Sequence, residues 1–291
     1  MNDKTESMIG IVSGLGPGAG LDLAQKVIDQ TIACRDQEHL PLMLVSIPER
    51  VSNRTDFILG HDPVNPAEGI IYALEKLYSA GATVVAIPCN TSHADSIFHM
   101  VSAYVSALAR PVTLVNMIDE VCRHIELYHS GVENVGVLST TGTAAAGIYR
   151  KALDKIGRRI VELDPGFQEQ LNEAIHSKTF GLKAQSNPAS ARATAILERC
   201  IGELVGNGAD ICVLACTELP LAIPGVVDPG VPLLDSTLVL ARALVRAVRP
   251  EQLKSWSVAD VTDSAALHAS TSQAESAGKR PASKNVEEVA S

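Results

Sequence analysis

Short apolar runs alternate with longer stretches whose apolar residues recur at helical spacing, and this alternation organises the chain up to about residue 250. The runs 8–13, 42–47, 83–87, 111–115, 134–139, 159–163, 210–215 and 231–234 are too brief for helices. Their near-continuous hydrophobicity predicts strands buried on both faces. Between them, 21–34, 66–80, a segment from Asn90 to about Leu108, 118–128, 144–157, 167–177, 189–206 and 236–248 carry the spacing of amphipathic helices. Strands alternating with helices predict an α/β protein with parallel sheets. From about Ser257 the chain turns to Ser, Ala, Lys and Glu without apolar periodicity, which predicts a disordered tail.

The pattern is written twice. Gly81-Ala-Thr-Val-Val-Ala-Ile-Pro-Cys89-Asn-Thr is answered by Gly208-Ala-Asp-Ile-Cys-Val-Leu-Ala-Cys216-Thr, each run stopping at a cysteine eight residues after its glycine. Ile9-Gly10-Ile11-Val12-Ser13 is answered by Val135-Gly136-Val137-Leu138-Ser139. The offsets, 126 between Gly10 and Gly136 and 127 between Cys89 and Cys216, agree to within one residue. A common offset at two separated places predicts a duplicated unit of about 120 residues, and hence two similar doubly wound lobes.

Composition narrows the function. The 291 residues, 46% hydrophobic, suffice for substantial cores, and with aromatics at 3% those cores are aliphatic. A formal charge of −9 argues against a nucleic-acid partner. No apolar stretch approaches the roughly 20 residues of a membrane span and no charged leader precedes one, so the expected location is cytoplasmic. The six cysteines lack paired zinc spacing and are expected to be reduced. Gly14-Leu15-Gly16-Pro17-Gly18 lacks a third glycine at the spacing of a dinucleotide fingerprint and an acidic residue at the end of the next strand, and is read instead as a site whose loop amides receive an anion.

In open parallel sheets, ligands bind outside the carboxyl ends of the strands, where both Cys89 and Cys216 fall. If the lobes face one another, the two thiols approach one molecule from opposite sides, and each is expected to start a helix whose dipole favours a thiolate. Two thiols on opposite faces of one carbon suit stereoinversion: one removes the α-proton and the other returns a proton to the far face. His93, one helical turn after Cys89, is expected to pack, and Glu218 to cap a helix.

These residues carry a resemblance. Pro88-Cys89-Asn90-Thr91-Ser92-His93 and Ala215-Cys216-Thr217-Glu218 are similar to the two cysteine motifs of the cofactor-independent aspartate/glutamate racemases. Ser13-Gly14-Leu15-Gly16-Pro17, Arg35-Asp36-Gln37-Glu38-His39, Asn53-Arg54-Thr55-Asp56 and Thr140-Thr141-Gly142-Thr143 extend it over about residues 8–250. The motifs resemble the aspartate racemase branch most. The resemblance implies two flavodoxin-like lobes with the active site between them, no pyridoxal phosphate, no metal, and a homodimer. It also implies a last helix that crosses back, so that 8–115 with 235–250 form the first lobe, 116–234 the second and 251–291 a tail.

By motif matching, Cys89 and Cys216 are the acid/base pair. Arg54 binds a carboxylate, Lys178 stands near a second carboxylate-binding position, and Asn90, Thr91, Thr141, Thr217 and the loop at Gly14 hold the α-carboxylate and amine. Ser13, Leu15 and the stretch before Arg54 depart from the family pattern, which bears on side-chain specificity. The expected substrate is a small amino acid with an acidic side chain, aspartate before glutamate. Rival readings are a maleate isomerase, a hydantoin racemase, a broad-specificity racemase or a malonate decarboxylase of the same superfamily, and a non-catalytic two-lobed amino-acid-binding protein.

Overall fold

The computed structural model describes residues 7–185, 187–226 and 229–256. The tail expected to be disordered from about 257 lies outside the described residues. The first half runs β1 (Ile9–Ser13), α1 (Pro17–Asp29), β2 (Leu42–Ser46), α2 (Arg54–Ile58), α3 (Ala67–Ser79), β3 (Val84–Ala86), α4 (Asp95–Ser106), β4 (Thr113–Val115) and α5 (Met117–Tyr128). The second runs β5 (Asn134–Ser139), α6 (Thr141–Ala145), α7 (Ile148–Lys155), β6 (Arg159–Val161), α8 (Pro165–His176), α9 (Ala191–Gly206), β7 (Ile211–Ala215), β8 (Leu233–Asp235) and α10 (Ser236–Val248). No helix among the described residues is long and apolar enough to cross a membrane.

The strands form two four-stranded parallel sheets, ordered β2-β1-β3-β4 and β6-β5-β7-β8. The same order arises twice because the same sequence pattern was laid down twice. Gly10 pairs in register with Val85, and its counterpart Gly136 with Cys212. A Cβ on Gly136 would come within 2.9 Å of Cys212 Sγ, so the glycine is what lets this neighbour sit beside it. Gly81 and Gly208 open the turns into β3 and β7 at φ 102° and 88°, a left-handed backbone that disfavours other residues.

Each sheet is covered on both faces by aliphatic helices. Ile70, Leu74 and Leu77 of α3 and Ile97 and Val101 of α4 pack with Val12 and Val85, while Leu171 and Ile175 of α8 and Leu197 and Ile201 of α9 pack with Leu138 and Leu214. Leu240, Leu244 and Val245 of α10 share a cluster with Ile9, Ile11, Leu23 and Val27, so the last helix returns to the first sheet. Asp235 fixes that return. Its Oδ1 caps α10 through the Thr237 and Leu238 amides, and its Oδ2 accepts from the buried Lys26 of α1 at 2.6 Å.

Several elements differ from the sequence pattern. The helix expected from Asn90 to about 108 divides into a 3-10 turn at Asn90–His93 and α4. It divides because Asn90 and Thr91 are bonded across to the second half and His93 is bonded within its turn and to α5. The helix expected over 144–157 breaks at Gly147, whose φ of 63° ends one helical course and starts another. β2, β4 and β6, all at sheet edges, are only partly buried.

Candidate active site

Both sheets reverse strand order between their first and third strands, β1/β3 and β5/β7, and both clefts of this kind open at the carboxyl ends. Cys89 follows β3 and Cys216 follows β7. The two cysteines line one cavity of about 20 Å³ between the sheets, together with Asn53, Arg54, Thr55, Asn90, Thr91, Thr140, His176, Lys183, Thr217 and Glu218. They are 8% and 6% exposed. A wider chamber of about 300 Å³ adjoins it and shares Leu15, Asn53, Arg54, His176, Lys183 and Glu218.

Neither cysteine begins an α-helix, contrary to the sequence expectation. Cys89 leads into a single 3-10 turn, and Cys216 into a turn followed by 3-10 residues Leu219–Gly225. The helix dipole is therefore not what sets the thiols. Burial pushes the Cys216 thiol well above its ordinary pKa and the Glu218 carboxylate adds to this, with Lys183 opposing. Cys216 Sγ donates to Glu218 Oε2 at 3.1 Å, so Cys216 rests as a thiol. Cys122, Cys200 and Cys212, packed in the cores, are pushed up to about 12 by burial and have no part in the cleft.

Arg54 is placed by its own segment. Asn53 Oδ1 accepts the amides of Thr55 and Asp56, capping α2 so that Arg54 is its first residue. Its Nη2 donates to the Leu15 carbonyl and its Nη1 to Ser52 O at 3.3 Å, while the buried Nε has no partner. Lys183 is reached differently. After α8 the chain doubles back, with the Leu182 and Lys183 amides donating to Ala174 and Ile175 carbonyls. Gly181 permits this reversal, since a Cβ there would collide with the Ser177 backbone. Leu182 anchors the segment in the core at 0% exposed, and Lys183 Nζ reaches Glu218 Oε1 at 2.8 Å.

Hydroxyls and amides join the two halves around the cavity. Thr91 Oγ1 lies 2.8 Å from Thr143 Oγ1 and 3.2 Å from Thr140 Oγ1. Tyr149 donates to Asn90 Oδ1 at 2.6 Å, and Asn90 Nδ2 donates to Ser236 Oγ at 3.3 Å. His93 supports the Cys89 turn: Nδ1 donates to Cys89 O at 2.9 Å, and Nε2 accepts the Met117 amide at 3.2 Å. Only the neutral ring can make both bonds.

Burial lowers the His93 pKa to about 4. A base with a depressed folded-state pKa makes the unfolded chain bind protons more readily, so its contribution to stability is lost as pH falls below the ordinary value of about 6.5. Urea unfolding is expected to show His93 alone costing about 2 kcal/mol between about pH 7 and about pH 5. A His93→Asn variant is expected to flatten that part of the profile.

The sequence reading placed several residues differently. Arg54, Cys89, Asn90, Thr91, Cys216 and Thr217 line the thiol cavity, and Gly14 lines the outer chamber. Thr141 lines a separate pocket of about 330 Å³ beside β5 and β6; its neighbour Thr140 is the one in the cleft. Lys178 is exposed outside the cleft, and the lysine that enters is Lys183, five residues on. Glu218, expected as a cap, makes no capping hydrogen bond and is turned inward instead. Gly181-Leu182 was the available signal for Lys183, a close-approach glycine followed by a core anchor.

Similarity to known proteins extends over most of this chain. The family profile described as Asp/Glu/Hydantoin racemase matches residues 12–244. The chain is 29% identical over 244 residues to the broad specificity amino-acid racemase RacX of Bacillus subtilis, covering 82% of this chain and 96% of that protein. It is 27% identical over 201 residues to the glutamate racemase of Ectopseudomonas mendocina, covering 67% of this chain and 69% of that one. Among solved structures, the aspartate racemase of Picrophilus torridus superposes with a TM-score of 0.70 at 26% identity, covering 88% of this chain and 99% of that one.

Proposed function

Because the chain belongs to the Asp/Glu/Hydantoin racemase family and is an isomerase, an amino-acid racemase, we propose that it interconverts L- and D-aspartate by proton transfer between Cys89 and Cys216. The observation that supports this is the convergence of the two buried cysteines, from equivalent strand ends of the two sheets, on one cavity that also holds Arg54 and Lys183.

The chemistry requires such a set. An α-proton beside a carboxylate is very weakly acidic, and preorganised cations and donors must stabilise the charge that develops as it leaves. The planar Arg54 guanidinium can take a carboxylate through two parallel hydrogen bonds when its Nη groups leave the Ser52 and Leu15 carbonyls, and Lys183 supplies a point charge for the other carboxylate. Thr91, Thr140 and Thr217 supply neutral donors around the α-carbon.

With Cys216 protonated, the enzyme is set for the direction in which Cys89 takes the α-proton and Cys216 returns one to the opposite face. After that turnover the proton rests on Cys89, and the reverse direction begins from there. Chiral chromatography tests the reading: L-aspartate is expected to racemise at least about tenfold faster, by kcat/KM, than L-glutamate or L-alanine. Equal rates for neutral amino acids would remove the acidic-substrate assignment and leave a broad-specificity racemase.

A further inference from the structure

Glu218 places its carboxylate on Lys183, the cation assigned above to a substrate carboxylate. It is 5% exposed, and three donors converge on it: Lys183 Nζ on Oε1 at 2.8 Å, Cys216 Sγ on Oε2 at 3.1 Å, and Thr217 Oγ1 on Oε2 at 3.3 Å. Burial alone would raise its pKa, but the Lys183 ammonium and these hydrogen bonds prevail, so it stays below its ordinary value. The pocket is thus already able to hold a fully charged carboxylate.

The same side chain controls space. The thiol cavity, at about 20 Å³, has room for about one water, whereas the outer chamber offers about 300 Å³. Glu218 and Lys183 line both, and the Glu218 carboxylate reaches the glycine loop that follows β1, where a Cβ on Gly16 would collide with Oε1. Arg54 is close by in the same wall, with its Nη groups turned to backbone carbonyls and its Nε without a partner.

We propose that Glu218 is an internal stand-in for the substrate's side-chain carboxylate. A dicarboxylic amino acid entering from the outer chamber puts its distal carboxylate on Lys183, Glu218 turns aside, and the two chambers join. A ligand with a single carboxylate brings no second anion to replace Glu218. The residue therefore sets specificity by competition: only a substrate that supplies its own second charge opens the site. This rests on the reading of the cleft as the site of an acidic amino acid. Its test uses succinate, which has no stereocentre and cannot be racemised, so failure of aspartate turnover and failure of this proposal are seen separately.

Glu218→Gln keeps the shape and removes the competing charge. Isothermal titration is expected to show succinate binding about tenfold or more tighter to the variant than to the unaltered protein, with propionate changed by less than about threefold. Gly16→Ala serves if Glu218→Gln fails to fold by circular dichroism. Its backbone is extended at φ 179° and ψ 106°, which alanine adopts, and its methyl would collide with Oε1 and displace it from its place on Lys183, so succinate is expected to bind more tightly there too. Succinate binding that is unchanged or weaker in the variant read, or propionate tightened equally, overturns the proposal.

Discussion

Replacing either Cys89 or Cys216 with serine is expected to lower steady-state racemisation of aspartate by about 10²–10⁴-fold, the range that a positioned acid/base group supplies. The loss is expected for both because the proposed mechanism uses each thiol as the base in one direction and the acid in the other. A serine hydroxyl at the same place gives up its proton far less readily. Both side chains are buried, so the hydroxyl also brings a modest stability cost, of order 1–3 kcal/mol. Thermal unfolding separates this from the catalytic loss. Cys212→Ala is the matched comparison: Cys212 lies in β7, four residues before Cys216, is wholly buried in the core and lines neither chamber. It is expected to lower stability while leaving kcat near that of the unaltered protein. Full activity in Cys89→Ser or Cys216→Ser with both enantiomers would end the two-thiol account.

Lys183→Met is expected to reduce kcat/KM for aspartate by about 10²-fold or more, while Lys178→Met leaves it unchanged. The Glu218 side of this pair is buried while the Lys183 side chain is 29% exposed, so the cost of truncating the lysine comes mainly from the charge left behind. Here the abandoned charge is Glu218, beside Cys216 and 5% exposed. Without Lys183 its pKa moves up, since burial is no longer opposed by the ammonium, and the stability lost relative to the unaltered protein is expected to be larger at neutral pH than in mild acid. Lys178 is exposed outside the cleft, and its replacement is expected to stay within about 0.5 kcal/mol in stability. The two variants distinguish a cation that enters the site from one that is merely near it in sequence. Equal effects at the two positions would refute the assignment of Lys183.

The architecture was legible because it rests on periodicity. Eight short apolar runs became eight strands, and the doubled Gly-Ala-to-cysteine unit became two sheets with the same strand order. The thiols were legible for the same reason: residues that end equivalent strands share equivalent places. What periodicity does not encode is how a loop returns. Lys183 enters the cleft through a reversal held by backbone bonds to the last turn of α8, and nothing in the spacing of charges distinguishes it from Lys178. Thr140 and Thr141 are adjacent and chemically alike. Which of them faces the cleft depends on Thr140 capping α6, and the two side chains go to different pockets. Glu218 was misread because Cys216 was expected to start a helix. Where the chain makes a turn instead, a carboxylate two residues on finds a thiol and a lysine rather than free amides.

The central claim is that two sulfurs stand on opposite faces of one α-carbon, and solvent isotope labelling tests it most directly. In deuterium oxide, with each aspartate enantiomer supplied separately and analysed at low conversion, the inverted product is expected to carry deuterium at Cα. The recovered starting enantiomer is expected to remain largely unlabelled, because the proton that leaves to one thiol is replaced from the other. Label appearing equally fast in the recovered enantiomer would point to a single base serving both faces, and no label in either would contradict proton transfer at Cα altogether.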